Sequence, residues 1–321
     1  MKKVVLLLII LLLAFTPIIY FLNLLRPTGK NDKTEIVVIS ADRGDSAALE
    51  LEEKGFIRSF SAFNIVFAIK GNPKIEPGGY YLSKNMSTWK IIDELADGPD
   101  LKEITIPEGI RKEQIGERLK KLLGWDDQAL EKWNDVYAAN DEYKEGVYFP
   151  DTYLIPVIET PQEIADRMIR NFNEKFAPFF DEAAAKNIKW TTIIKIASLI
   201  EREAAGPTDM PLISGVIWNR LNENQKLEID ATIQYAIGKR NGNWWSKVSG
   251  SDIKNADSAY NTYKYLGLPP TPIANPGLSA IVAALNPEQT DCFYYLHDRS
   301  RQIHCAKTYE EHLENIEKYL N

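Results

Sequence analysis

The sequence predicts an α+β chain in three parts: a single N-terminal transmembrane helix, a small α/β module and a larger mixed α+β domain. Three observations carry this expectation. Val4 to Leu25 holds no charged residue over 22 positions. Strand-like and helix-like patterns then alternate within about 65 residues. After Gly98-Pro99 the rest of the 321-residue chain continues with short strands and amphipathic helices, without an internal repeat.

The uncharged run would make roughly 33 Å of helix, enough to cross a bilayer core. A cleaved signal peptide is the rival reading, but its apolar region spans only about 7–15 residues and ends at small residues. Lys2 and Lys3 precede the run, and Arg26, Lys30 and Lys33 follow it. Flanking charge therefore does not decide orientation, and a long folded domain is exported whatever its flanks. The expectation is a single-pass protein of the inner (cytoplasmic) membrane, with residues 1–3 inside, 4–25 as anchor, 26–35 as linker and the rest outside. Cys292 and Cys305 then lie where a disulfide is possible, and two unpaired buried cysteines are the equal alternative.

Ile36 to Ser40 reads as a strand, Asp45 to Lys54 and Ser61 to Lys70 as helices, Tyr80 to Leu82 as a strand, and Ser87 as the cap of a helix through Leu95. This defines a module over 36–100. The domain over 101–321 opens with a strand at Glu103 to Ile106. Helices follow over Arg111 to Leu123, Ala129 to Ala138 and Pro161 to Lys175; Gly146 to Tyr153 reads as a loop or short strand.

Composition excludes several chemistries. The net charge is −7, with 45% hydrophobic and 26% charged residues, two cysteines and three histidines. Nucleic acid is not expected, because phosphate contacts need clustered Lys and Arg. No zinc, dinucleotide or P-loop motif is present, so neither metal nor cofactor is expected. Carboxylates remain as the catalytic tools.

The most informative stretch is Thr191 to Ala205. Thr191 or Thr192 is expected to cap a helix whose buried stripe is Ile193, Ile194, Ile196, Ala197, Leu199, Ile200 and Ala204. Glu201 and Glu203 lie about 200° apart around it, so they cannot flank one bond, and Lys195 and Arg202 should point away. A glutamate at the edge of an apolar face is desolvated and keeps its proton near neutral pH. Both could equally be ordinary helix-boundary residues, solvated or ion-paired.

Ala197-Ser198-Leu199-Ile200-Glu201-Arg202-Glu203 resembles the A-S-[IL]-[IV]-E-[KR]-E signature of the YceG-like (MltG) endolytic murein transglycosylases. Further stretches match in order: Val216 to Leu221, Leu227 to Gly238, Ser258 to Tyr263 (S-x-Y-N-T-Y) and Gly267 to Ile273 (G-L-P-P-x-P-I). Upstream, Ile106 to Gly109 and Phe149 to Tyr153 match as well. Ile229 stands where a small polar residue is usual. His304 and His312 fit an H-x-F…T-x-x-E-H pattern, with Ala306 in place of its aromatic. Asn243-Trp244-Trp245-Ser246 belongs to none of these motifs; its tryptophans are expected to fill a loop or to extend a sugar platform.

The resemblance implies a LysM-like module over 36–100 and a catalytic domain over 101–321. It implies cleavage of peptidoglycan glycan strands between N-acetylmuramic acid and N-acetylglucosamine, leaving 1,6-anhydro ends and limiting nascent chains. It also implies Glu201 as the single acid/base, with Glu203 as second choice, and Asn219, Asp230, Tyr260 and Asn261 as substrate contacts. Peptidoglycan synthases are the implied protein partners. Two alternatives stay open: a muramidase using Asp230 as a second carboxylate, and a non-catalytic, membrane-tethered peptidoglycan-binding scaffold.

Overall fold

The computed structural model describes residues 15–40 and 44–320. Residues 4–14 of the expected anchor lie outside the described residues, and residues 15–24 form a helix, α1. Among the described residues no helix is long and apolar enough to cross a membrane. The chain divides into two compact units, Met1–Ile104 with Tyr153–Glu159, and Thr105–Thr152 with Thr160–Asn321.

The first unit runs β1 (Glu35–Ile39), α2 (Gly44–Glu53), α3 (Phe60–Ile69), β2 (Gly78–Leu82) and α4 (Thr88–Asp97). β3 (Leu101–Thr105) and β4 (Thr152–Pro156) complete a sheet of order β1-β2-β3-β4. β1 and β2 are antiparallel, with Glu35 opposite Leu82 and Ile39 opposite Gly78. Leu51, Phe63, Val66, Leu82, Ile91 and Leu95 fill its core. Ser59 and Ser87 cap α3 and α4 by accepting the amides of Ala62 and Lys90, as small hydroxyl side chains do for orphan helix donors. The strand after Gly98-Pro99 starts two residues earlier than its pattern suggested. It pairs with β2 through Gly79 opposite Leu101, where the missing glycine side chain leaves room for Leu101.

The second unit is mainly helical: α5 (Lys112–Leu123), α6 (Asp127–Asp135), α7 (Pro161–Ala185), α8 (Trp190–Glu203), α9 (Met210–Asn222), α10 (Asp230–Ile237), α11 (Gly250–Asn255) and α12 (Leu278–Leu285). A hairpin of β5 (Tyr294–His297) and β6 (Ile303–Ala306) precedes α13 (Tyr309–Leu320). α7 begins with a Thr160/Glu163 capping box and Pro161 in its first turn. It continues ten residues beyond Lys175, through Pro178. Phe172 and Phe176 stack at 5.4 Å and both meet Trp190; this packing outweighs the roughly 3 kcal/mol that an internal proline costs.

α8 is the central helix, packed by α7, α9, α10 and α12. Its expected stripe from Ile193 to Ile200 is fully buried, each Ile or Leu contributing about 1.5–3 kcal/mol over an exposed one. The helix starts at Trp190 with Lys189 as cap, not at Thr191 or Thr192. The aromatic cluster holding Trp190 draws the first turn back by two or three residues.

Candidate active site

The last turn of α8 sends Glu201 and Glu203 to opposite sides, and the two sides differ. Glu201 Oε2 accepts the Gly277 amide at 3.0 Å. Gly277 is the N-cap of α12, so the carboxylate meets the partial positive charge of a helix start. Glu108 presses on the same glycine, where any Cβ would collide with its carboxylate. Burial raises the Glu201 pKa, the Gly277 amide opposes the rise and the charge of Glu108 adds to it. Arg202 does not point away: it donates to the Gly109 carbonyl at 3.3 Å and lies 3.9 Å from the centre of the Trp245 ring. Stacking on an indole face is a favourable place for a guanidinium leaving water.

Behind Gly277 the packing is saturated. Asn275 is fully buried; its Nδ2 donates to Ile110 O and Glu145 Oε1, and its Oδ1 accepts the Tyr148 amide. Glu145 also accepts the backbone amide of Lys112. Burial pushes its carboxyl up to about 8.

Glu203 faces a cavity of about 260 Å³, whose walls include Arg220, Tyr263, Tyr294, Tyr295 and His312. Tyr295 donates its hydroxyl to Glu203 Oε2 at 2.9 Å. Burial raises the Glu203 pKa, the Tyr295 hydrogen bond opposes this, and the charge of Asp230 raises it further. Tyr263 donates to Asp230 Oδ1 at 2.7 Å. Arg220 braces the wall: its Nε donates to Phe293 O at 2.6 Å and its Nη1 to Leu227 O at 3.0 Å. The buried Nδ1 of His312 has no hydrogen-bond partner among the described residues. A protonated carboxyl beside aromatic walls and an unmatched imidazole nitrogen can donate a proton to a polar ligand.

Of the residues expected to touch substrate, Asp230 comes to the Glu203 side. The others are committed elsewhere. Asn219 Nδ2 donates to Thr290 O and Cys292 O, holding the strand that leads into β5. Asn261 is fully buried, donates to Ile253 O and Ala256 O, and accepts the Tyr263 amide. Tyr260 bonds Thr271 and packs on Tyr235 at 4.7 Å. Trp244 covers Arg111, and the Trp245 indole donates to Gln114. Tyr263 and Arg220 sat inside the motifs without being singled out, His312 was named only as part of a pattern, and Tyr295 lay in none. Only the unusual density of tyrosines from 294 on marked that strand. Cys292 and Cys305 form a disulfide with Cα atoms 5.9 Å apart. Among the described residues no cluster of three metal-ligating side chains occurs.

Residues 36–318 match the YceG-like family. The chain is 29% identical to the endolytic murein transglycosylase of Streptococcus pneumoniae serotype 2 (strain D39) over 94% of its own length and 61% of that protein's. It therefore spans about three fifths of the Streptococcus relatives it matches. It is 32% identical to the endolytic murein transglycosylase of Bacillus subtilis (strain 168), covering 94% of this chain and 90% of that one. A solved YceG-like protein of Listeria monocytogenes aligns with a TM-score of 0.62 and 27% identity, over 88% of this chain and 99% of that chain. The chain belongs to the YceG-like family.

Proposed function

We propose that the chain is a membrane-anchored endolytic peptidoglycan lytic transglycosylase in which Glu203 is the acid and base. The observation that carries this reading is the Glu203 carboxyl on the wall of a cavity, its pKa raised by burial. The two relatives above are named for the same activity. A protonated Glu203 donates to the glycosidic oxygen between the muramoyl sugar and the next glucosamine. Its carboxylate then takes the proton from the muramoyl 6-hydroxyl, whose oxygen closes on the anomeric carbon to give a 1,6-anhydro end. The nucleophile belongs to the substrate, so proximity is built in and water is not needed. One carboxyl acting twice suffices.

Glu203 is favoured over Glu201 because the Glu201 carboxylate is engaged by the start of α12, whereas Glu203, held by Tyr295 through one oxygen, lines a cavity. The Glu201 reading keeps one support: its pKa is raised by burial too. A muramidase reading keeps another, the charge of Asp230 acting on Glu203. The test is digestion of purified glycan strands by the detergent-solubilised full chain, with mass analysis of the new ends. Anhydro ends that vanish in Glu203→Gln and persist in Glu201→Gln support the proposal. Reducing ends would make the protein a hydrolase, and full activity in Glu203→Gln would remove that residue. Bound but uncut strands from the wild type would leave a scaffold.

The anchor reading is supported by the uncharged run over residues 4–25, and the LysM-like reading by the order β1, α2, α3, β2, α4. An outer location fits the Cys292–Cys305 disulfide, since such bonds persist in oxidising compartments.

A further inference from the structure

Among the described residues, Tyr295 is the one hydrogen-bond partner of the Glu203 carboxyl. Tyr295 stands on β5 directly opposite Cys305 of β6. The disulfide runs from Cys305 to Cys292, three residues before Tyr295. Neighbouring side chains of α9 pin the same approach: Asn219 holds Thr290 O and Cys292 O, and Arg220 holds Phe293 O. A two-stranded hairpin of this size is marginal by itself, so the covalent clamp and these two side chains define where the phenol points.

We infer that Tyr295 is a positioning residue that orients the Glu203 carboxyl toward the cavity, and that the Cys292–Cys305 clamp holds Tyr295 to that task. The inference rests on Glu203 being the acid. A phenol bonded to Oε2 fixes the carboxyl plane and leaves Oε1 for the substrate. Its donation favours the ionised form, against burial and the charge of Asp230, while Arg202 and His297 act in the same direction as the phenol. Arg220, Glu228, Tyr263 and His312 face the same cavity.

The test compares wild type, Tyr295→Phe and the double variant Cys292→Ser/Cys305→Ser as full chains. It reads the pH–rate profile of strand cleavage and the titration of the Glu203 carboxyl by carbon NMR, assigned with Glu203→Gln. Tyr295→Phe removes the donor, so the Glu203 pKa rises. The proton needed for cleavage is then retained to higher pH. The expected result is an alkaline limb and a carboxyl titration both about one pH unit higher, with kcat about tenfold lower and KM within about twofold. Dithiothreitol converts the disulfide to two thiols and is itself oxidised to its cyclic disulfide. On wild type it should move the limb in the same direction, as should the serine pair, and on Tyr295→Phe it should add no shift. A lower rate with an unmoved limb and titration in Tyr295→Phe, as a merely structural tyrosine would give, overturns the positioning role. A reduction effect undiminished in Tyr295→Phe overturns the clamp. If Glu203→Gln cleaves normally, the acid assignment fails instead, and the carboxyl titration still reports whether Tyr295 acts on Glu203.

Discussion

Glu201 and Glu203 leave the same turn of α8, yet one ends on a backbone amide at the start of α12 and the other on the wall of a cavity. Burial raises the pKa of both. A raised carboxyl pKa therefore does not by itself identify an acid catalyst; the room left beside the carboxyl does. On the Glu201 side the half-buried carboxylate is tied to the Gly277 amide, with Glu108 and Gly109 packed beside it. On the Glu203 side, Tyr263, Tyr295 and Arg220 are held by partners around the cavity rather than across it. Saturated packing stabilises, and unfilled space beside a proton donor is where a substrate can be received.

Substitutions can break this contrast. The largest effect is expected for Glu203→Gln, which should lower strand cleavage by roughly 10³-fold with little change in melting temperature, because general acid–base groups supply about 10²–10⁴-fold. Glu145→Gln should give the next largest change, and in stability rather than rate. Its folded carboxyl binds a proton from an ordinary value of 4.5 up to about 8. The native state then holds more protons than the unfolded one in that window, and stability falls as pH rises through it. Urea unfolding at pH 5 and pH 8 should show that tilt in wild type, by a few kcal/mol, and a flatter dependence in the variant.

Glu201→Gln sharpens the comparison directly. It removes charge from a helix start while keeping an oxygen acceptor, so a loss of about 1 kcal/mol is expected. Cleavage should stay within a few-fold of wild type, and a rate loss matching Glu203→Gln would exchange the two roles. Gly277→Ala should have the smallest effect on cleavage, leaving the rate unchanged and acting on stability alone. Its Cβ must push the Glu108 carboxylate aside, a flexible group, which should cost about 1 kcal/mol or slightly more in thermal unfolding. No change would mean that the Glu201 side is less tightly closed than the contacts describe.

Local chemistry made much of this legible in the sequence. Ser87 caps its helix as expected, because a short hydroxyl satisfies orphan amides where it precedes an apolar run, and Ser59, not read as a cap, does the same for α3. The stripe of α8 is buried from Ile193 to Ile200 as its spacing requires, with only the C-cap Ala204 half-exposed, and that spacing also separates the two glutamates. Tertiary structure decided what spacing cannot encode. The aromatic cluster at Trp190 moved the start of α8, and Phe172 and Phe176 carried α7 past a proline. Asn219 and Asn261 bear the polar amides expected of sugar contacts, yet backbone carbonyls claim them, distant in sequence for Asn219 and from the preceding loop and helix for Asn261. Which glutamate keeps open space depends on α12 arriving on one side and the β5–β6 hairpin on the other. Helical periodicity assigns a side chain its direction, and only the long-range fold determines what it meets there.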